Sequence, residues 1–100
     1  MNKHIILLFI ILCIGLTKAS AQHSITGKVL DATNQEPIPF ASVTIKNVKS
    51  GTTTDNNGNF TLKVNNNDIL IVSFMGYETK EVNIGTQKKV TILLSEIWIW

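Results

Sequence analysis

The feature that constrains this chain most is a repeated alternation of apolar and polar residues in short segments, separated by clusters of Asn, Asp and Gly. The clearest copy surrounds Asp55-Asn56-Asn57-Gly58. Those residue types tolerate left-handed or locally hydrogen-bonded backbone, so they read as a tight turn. Thr52-Thr53-Thr54 before it suits an extended chain. After it, Phe60, Leu62 and Val64 alternate with Thr61 and Lys63, the period of a half-buried strand.

The rest of the chain repeats this unit. Residues 24–30 alternate, with Ile25, Gly27 and Val29 on one face. Residues 31–37 form a loop, and Pro37 and Pro39 hold Ile38 extended. A second strand is expected over 40–46, with Ala41, Val43 and Ile45 inward. Asn47-Val48-Lys49-Ser50-Gly51 turns the chain into a short strand at 52–54, and 60–64 follows the Asp55 turn. Residues 69–75 are apolar on both faces, which predicts a central strand whose second side is covered by a loop or a partner. Residues 78–84 are more polar and read as an edge strand defended by charge. The last strand is expected over 88–94, with Val90, Ile92 and Leu94 inward. No segment holds a 3.6-residue period. Seven short strands about ten residues apart point to an all-β sandwich.

Composition narrows the setting. Residues 1–4 are short and basic, 5–16 are apolar, and Ala19 and Ala21 stand in an A-x-A arrangement. This is the pattern of a helical signal peptide cleaved between Ala21 and Gln22. The apolar run is shorter than the roughly 20 residues a membrane span needs. The one cysteine, Cys13, lies in this run. It would leave with the peptide, and Ile10-Ile11-Leu12 lacks the small residue a lipidated cysteine would follow. The chain thus divides into 1–21, a domain over 22–95 and an apolar tail over 96–100. Residues 22–95 then have neither thiol nor disulfide. A domain of about 75 residues buries only around 60% of its extended surface, so its stability should be modest. Removing Lys3 and Lys18 leaves seven lysines against seven carboxylates, and there is no Arg. A nucleic-acid surface is expected to be basic, so that class is set aside.

Candidate sites are few. Asp55, Asn57 and Asp68 offer oxygen ligands of the kind calcium takes. The Asp-x-Asn-Gly piece resembles an EF-hand start without its distal Glu or its helices, so a turn is the better reading. His23 has no second His or Cys beside it for zinc. The many Ser and Thr lack the base and orienting group that a nucleophile requires. Asn59-Phe60-Thr61 matches a glycosylation sequon that strand placement explains equally well. Gly76-Tyr77 should kink the chain, with the Tyr77 ring over the core and its hydroxyl on a polar group. No catalytic, cofactor or metal residue is assigned. The tail Ile97-Trp98-Ile99-Trp100 does not look like a domain terminus. It resembles the end strand of an outer-membrane barrel, which one strand cannot close, and it reads as a frame cut short.

Together, Ile25-Thr26-Gly27-Lys28-Val29, Glu36-Pro37-Ile38-Pro39-Phe40-Ala41-Ser42-Val43, Gly51-Thr52-Thr53-Thr54-Asp55, Gly58-Asn59-Phe60 and Gly76-Tyr77 resemble the carboxypeptidase regulatory-like domain of Bacteroidetes. The resemblance covers about residues 23–95. It implies a transthyretin-like, seven-stranded Greek-key sandwich. In that phylum the domain commonly stands at the N-terminus of starch-utilisation-type TonB-dependent outer-membrane transporters. It implies no peptidase activity. The expectation is therefore a non-catalytic module of the periplasm or outer-membrane periphery, whose partner is an envelope protein and which takes no free small-molecule substrate. Docking would use the 78–84 edge or an apolar face. The alternative is a secreted carbohydrate- or surface-binding sandwich using Trp98 and Trp100.

Overall fold

Alternation becomes strand throughout. The computed structural model describes residues 22–97. Within them run β1 (His23–Asp31), β2 (Ser42–Ile45), β3 (Gly51–Thr53), β4 (Asn59–Val64), β5 (Ile69–Ser73), β6 (Lys80–Asn83) and β7 (Lys89–Leu94). They form two sheets, β4-β1-β7 and β3-β2-β5-β6, which is the expected all-β, seven-stranded architecture. The signal peptide expected over 1–21, and the residues Trp98 and Trp100, lie outside the described residues.

The inward positions of each alternation make the core. Ile25 and Val29 of β1, Phe60, Leu62 and Val64 of β4, and Ile92 and Leu94 of β7 come from one sheet. Val43 and Ile45 of β2 and Leu70 and Val72 of β5 face them from the other. Ile38, Ala41 and Ile84, from the connections, close the edges of the cluster. Gly27 belongs to the inward set of β1 and lies opposite Phe60 on β4 and Val90 on β7. The Phe60 ring occupies the space where a side chain at 27 would stand. The glycine is thus required by close approach of an aromatic ring rather than by a turn.

β5 is interior to its sheet, paired with β2 on one side and β6 on the other. Its inner face is fully buried at Leu70 and Val72, while Ile69 and Ile71 on the outer face are half-buried. The cover is internal to the chain. Lys46 follows β2 opposite Ile69, and Glu81 of β6 lies opposite Ile71. Their 2.9 Å ion pair therefore spans the outer face of β5. Both groups are about half exposed, so their charges add at most about 1 kcal/mol, and their aliphatic stems do the covering.

The expected second strand needs correction at its start. Phe40 is not in β2 but in the turn before it, with φ 61° and 66% exposure. Its amide bonds to the Thr54 carbonyl at 3.0 Å, just past the end of β3. Likewise Phe74 and Met75 leave β5, because Tyr77 N–H donates to the Phe74 carbonyl at 3.0 Å and closes a turn there.

Strand directions sort the connections to two ends. One, the loop end, gathers 31–41, 54–58, 74–79 and 95–97. The other, the turn end, gathers 46–50, 65–68 and 84–88. β1 and β7 run parallel, all other pairs antiparallel.

Candidate functional site

Polar side chains with defined partners concentrate at the loop end. Asp31 ends β1 and is 3% exposed. Its Oδ1 accepts the backbone N–H of Thr33 at 2.7 Å and of Asn34 at 3.4 Å. Its Oδ2 accepts the Tyr77 hydroxyl at 2.7 Å. Tyr77 comes from the other sheet, just after the turn at Gly76 (φ 89°), and packs its ring against Phe74 with centroids 6.1 Å apart. The hydroxyl thus reaches a polar group, as the sequence suggested, and the bond ties the two sheets at this end. The Tyr77 hydroxyl and the Thr33 amide hold the Asp31 carboxyl below its ordinary value of 3.8. The same bond, with burial and the nearby Asp31 charge, pushes the Tyr77 phenol up to about 12. Both directions keep the pair as phenol and carboxylate.

A second network holds the proline loop. Thr54 is 2% exposed. Its Oγ1 accepts the Ala41 N–H at 2.8 Å and donates to the Ile38 carbonyl at 2.7 Å. Its own amide donates to the Ala41 carbonyl at 2.9 Å. One threonine therefore satisfies backbone groups of the segment that follows the Leu30–Pro37 bridge. Its neighbour Asp55 builds the turn read from the sequence. Asp55 Oδ1 accepts the amides of Asn57 and Asn59, both at 2.9 Å. Gly58 completes it at φ 76°, packed against the Val29 carbonyl and Pro37.

The oxygen ligands weighed for calcium are not brought together. Asp55 and Asp68 sit in turns at opposite ends of β4, so about 20 Å of strand separates them. Asp68 Oδ2 accepts the Asn65 amide at 2.8 Å. Among the described residues no three His, Cys, Asp or Glu side chains converge on a metal position. His23 Nε2 lies 3.1 Å from the Gln87 carbonyl, to which it donates. Asn59 and Thr61 of the sequon are exposed positions of β4, facing away from the core. Sequence reading missed Asp31 and Thr54. Both looked like ordinary loop and strand-end residues, because their partners lie 46 and 16 residues away. It also missed the left-handed turn at Phe40, whose place before the alternating Ala41, Val43 and Ile45 read as the start of the strand.

Among the described residues, the arrangement offers sheet edges and a shallow groove. β6, with Lys80, Glu81 and Asn83 exposed, is one edge of the four-stranded sheet, with β3 the other, as expected for 78–84. The corresponding edge at β7 is blunted, since Lys80 Nζ donates to the Leu93 carbonyl at 3.3 Å. A shallow cavity of about 470 Å³ crosses the three-stranded sheet, lined by Thr26, Lys28, Asn59, Thr61 and Lys89 among others.

Comparison with known proteins places this geometry. The chain is 34% identical over 92 residues to the TonB-dependent receptor SusC of Bacteroides thetaiotaomicron. It is 28% identical over 93 residues to the TonB-dependent receptor P3 of Formosa agariphila. Each match covers 92% of this chain and 9% of the relative, so the chain spans about a tenth of their length. A shorter match, 39% over 57 residues, is to the TonB-dependent receptor P26 of Formosa agariphila. Among solved structures, a candidate membrane-associated protein of unknown function from Bacteroides fragilis superposes with a TM-score of 0.59 at 23% identity. That match covers 83% of this chain and 31% of the other, and shows the shared fold. The profile of the CarboxypepD_reg-like domain family matches residues 25–97, and the chain belongs to that family.

Proposed function

We propose that this chain acts as a non-catalytic docking module in the envelope of a Gram-negative bacterium, at the periplasmic side of a TonB-dependent nutrient receptor. The observation that carries this reading is the pattern of coverage. Nearly the whole chain aligns with receptors, yet with only about a tenth of their length. That coverage supports reading the unit as a module beside the machinery that transports, contributing a surface.

The geometry favours β6 as that surface. β3 offers only three residues and packs at the corner beside β4, and the β7 edge is occupied by Lys80. β6 leaves one side without a neighbouring strand, and an extended segment of a partner can pair there by β-augmentation. A photo-crosslinking residue at Glu81, with a control at Thr61, tests this in the producing cells. The expected result is a discrete adduct with an envelope protein from position 81 alone. Equal adducts at both positions, or none from correctly exported protein, would sink the reading. The same preparation tests removal of 1–21, because the exported chain should begin at Gln22.

A further inference from the structure

We propose that the two ends of the sandwich are complementary, and that the loop end of one copy docks on the turn end of a second copy, head to tail. This surface is separate from the β6 edge and does not depend on the reading above. It rests first on charge. The connections of the loop end carry Asp31, Glu36, Asp55, Glu78 and Glu96, with no lysine among them. Asp31 is spent on Tyr77, and the other four are exposed. The turn end carries Lys46, Lys49 and Lys88 in its connections, with Lys63 and Lys89 in the strand positions beside them and Asp68 as its one carboxylate. Lys46 is engaged by Glu81, while Lys49, Lys63, Lys88 and Lys89 make no ion pair among the described residues. A chain with seven lysines and seven carboxylates over 22–97 is thus neutral in sum and polarised along its strands. Lys28 and Lys80 lie in strands near the loop end, and Lys80 is held on the Leu93 carbonyl.

The second argument is the exposed apolar residues at the acidic end. Phe40 is 66% exposed, Met75 92% and Ile97 43%. Phe40 and Met75 lie two residues beyond the paired Ser42 and Ser73, in turns at the same end. Ile97 joins them, because its N–H donates to the Gly76 carbonyl at 2.9 Å. Phe40 also sits at φ 61°, a left-handed backbone that a bulky residue adopts only at an energetic cost. The Thr54 network holds it there. A strained, exposed aromatic on the end that gathers the carboxylates matches a surface with an apolar spot among lysines. The turn end has that spot in Val48, 54% exposed between Lys46 and Lys49. The same carboxylates disfavour an anionic lipid surface as the occupant. An end of so small a sandwich buries less than the standard interface of about 1,600 Å², so the contact is weak and dissolves as salt screens it.

Sedimentation velocity of the exported full chain, over a wide concentration range at low and high salt, tests this. The expected result is salt-sensitive association that grows beyond dimers, as an unclosed head-to-tail contact must. A loop-end variant, Glu36→Lys with Glu78→Lys, and a turn-end variant, Lys49→Glu with Lys88→Glu, should each weaken association by about tenfold or more. Mixed together they should associate again, since one native pair of ends remains and the two reversed ends are opposite in charge. Phe40→Ser should weaken association without lowering the melting temperature. A wild-type chain that stays monomeric at low salt overturns the proposal. So does association that survives both charge reversals, which would assign it to the β6 edge. Binding to phosphatidylglycerol vesicles that Phe40→Ser abolishes would give the tip to a lipid surface instead, and equally overturn it.

Discussion

Single residues at the loop end carry more of this structure than their type suggests. Thr54→Val keeps the shape of the side chain but strands the Ile38 carbonyl and the Ala41 amide. Leaving buried backbone groups unpaired should lower stability by about 2–3 kcal/mol, read as the shift in urea unfolding; Thr54→Ser should restore most of it. Phe40 gives the opposite sign. Phe40→Asn puts a residue tolerant of left-handed backbone at φ 61° and should raise stability by about 0.5–1 kcal/mol, measured in the same assay. Tyr77→Phe removes the hydroxyl that Asp31 accepts, and its effect should depend on pH at both extremes. Asp31 is depressed below 3.8, so its contribution is present above 3.8 and lost as pH falls through the lower folded value. Tyr77 is raised from 10.0 to about 12, so its contribution is complete below 10.0 and lost as pH rises through about 12. The stability gap between wild type and Tyr77→Phe should therefore stay level between those limits and narrow beyond each. A gap independent of pH would remove the Asp31 bond from the account.

At the level of elements, the strands were legible because a period of two leaves little freedom once one face is buried. β4 shows it plainly: Phe60, Leu62 and Val64 are inward and buried, with Asn59, Thr61 and Lys63 outward. Strand ends were less legible. Phe40, Phe74 and Met75 continue the apolar pattern of their neighbours, but hydrogen bonds from Thr54 and within the 74–77 turn end the strands earlier. Gly27 shows what pairing adds to pattern. Alternation put it on the inner face, and only the register opposite Phe60 gives the reason for a glycine there. Gly27→Ala should cost about 2 kcal/mol as the Phe60 ring is displaced. The cost should shrink when Phe60→Leu is present, because residues in contact are not additive. Equal costs in the two backgrounds, by denaturant unfolding, would mean that the ring is not what excludes the side chain.

Across the whole molecule, the two sheets are joined at the loop end by backbone as well as by side chains. After β7 the chain runs beside the 76–78 segment of the other sheet, with Glu78 N–H on the Ser95 carbonyl at 2.8 Å and Ile97 N–H on the Gly76 carbonyl. Ending the chain after Leu94 should lower stability by about 1–2 kcal/mol. It should also speed hydrogen exchange at the Glu78 amide; unchanged exchange there would show that the tie is not formed in solution. Of the candidate site, the Asp55 turn and the reach of the Tyr77 hydroxyl were readable locally, because an Asx turn and an amphipathic ring announce themselves within a few residues. Asp31 as its acceptor, the Lys46–Glu81 cover of β5 and the sorting of carboxylates to one end were not. The sequence by itself determined the all-β class, the seven strands, their inward residues and the family, since each is set by local periodicity or by motifs of a few residues. The tertiary structure alone decided that β1 and β7 run parallel and that residues 22–97, neutral in sum, are polarised end to end. Those depend on pairings between residues far apart in sequence, and local preference carries no record of them.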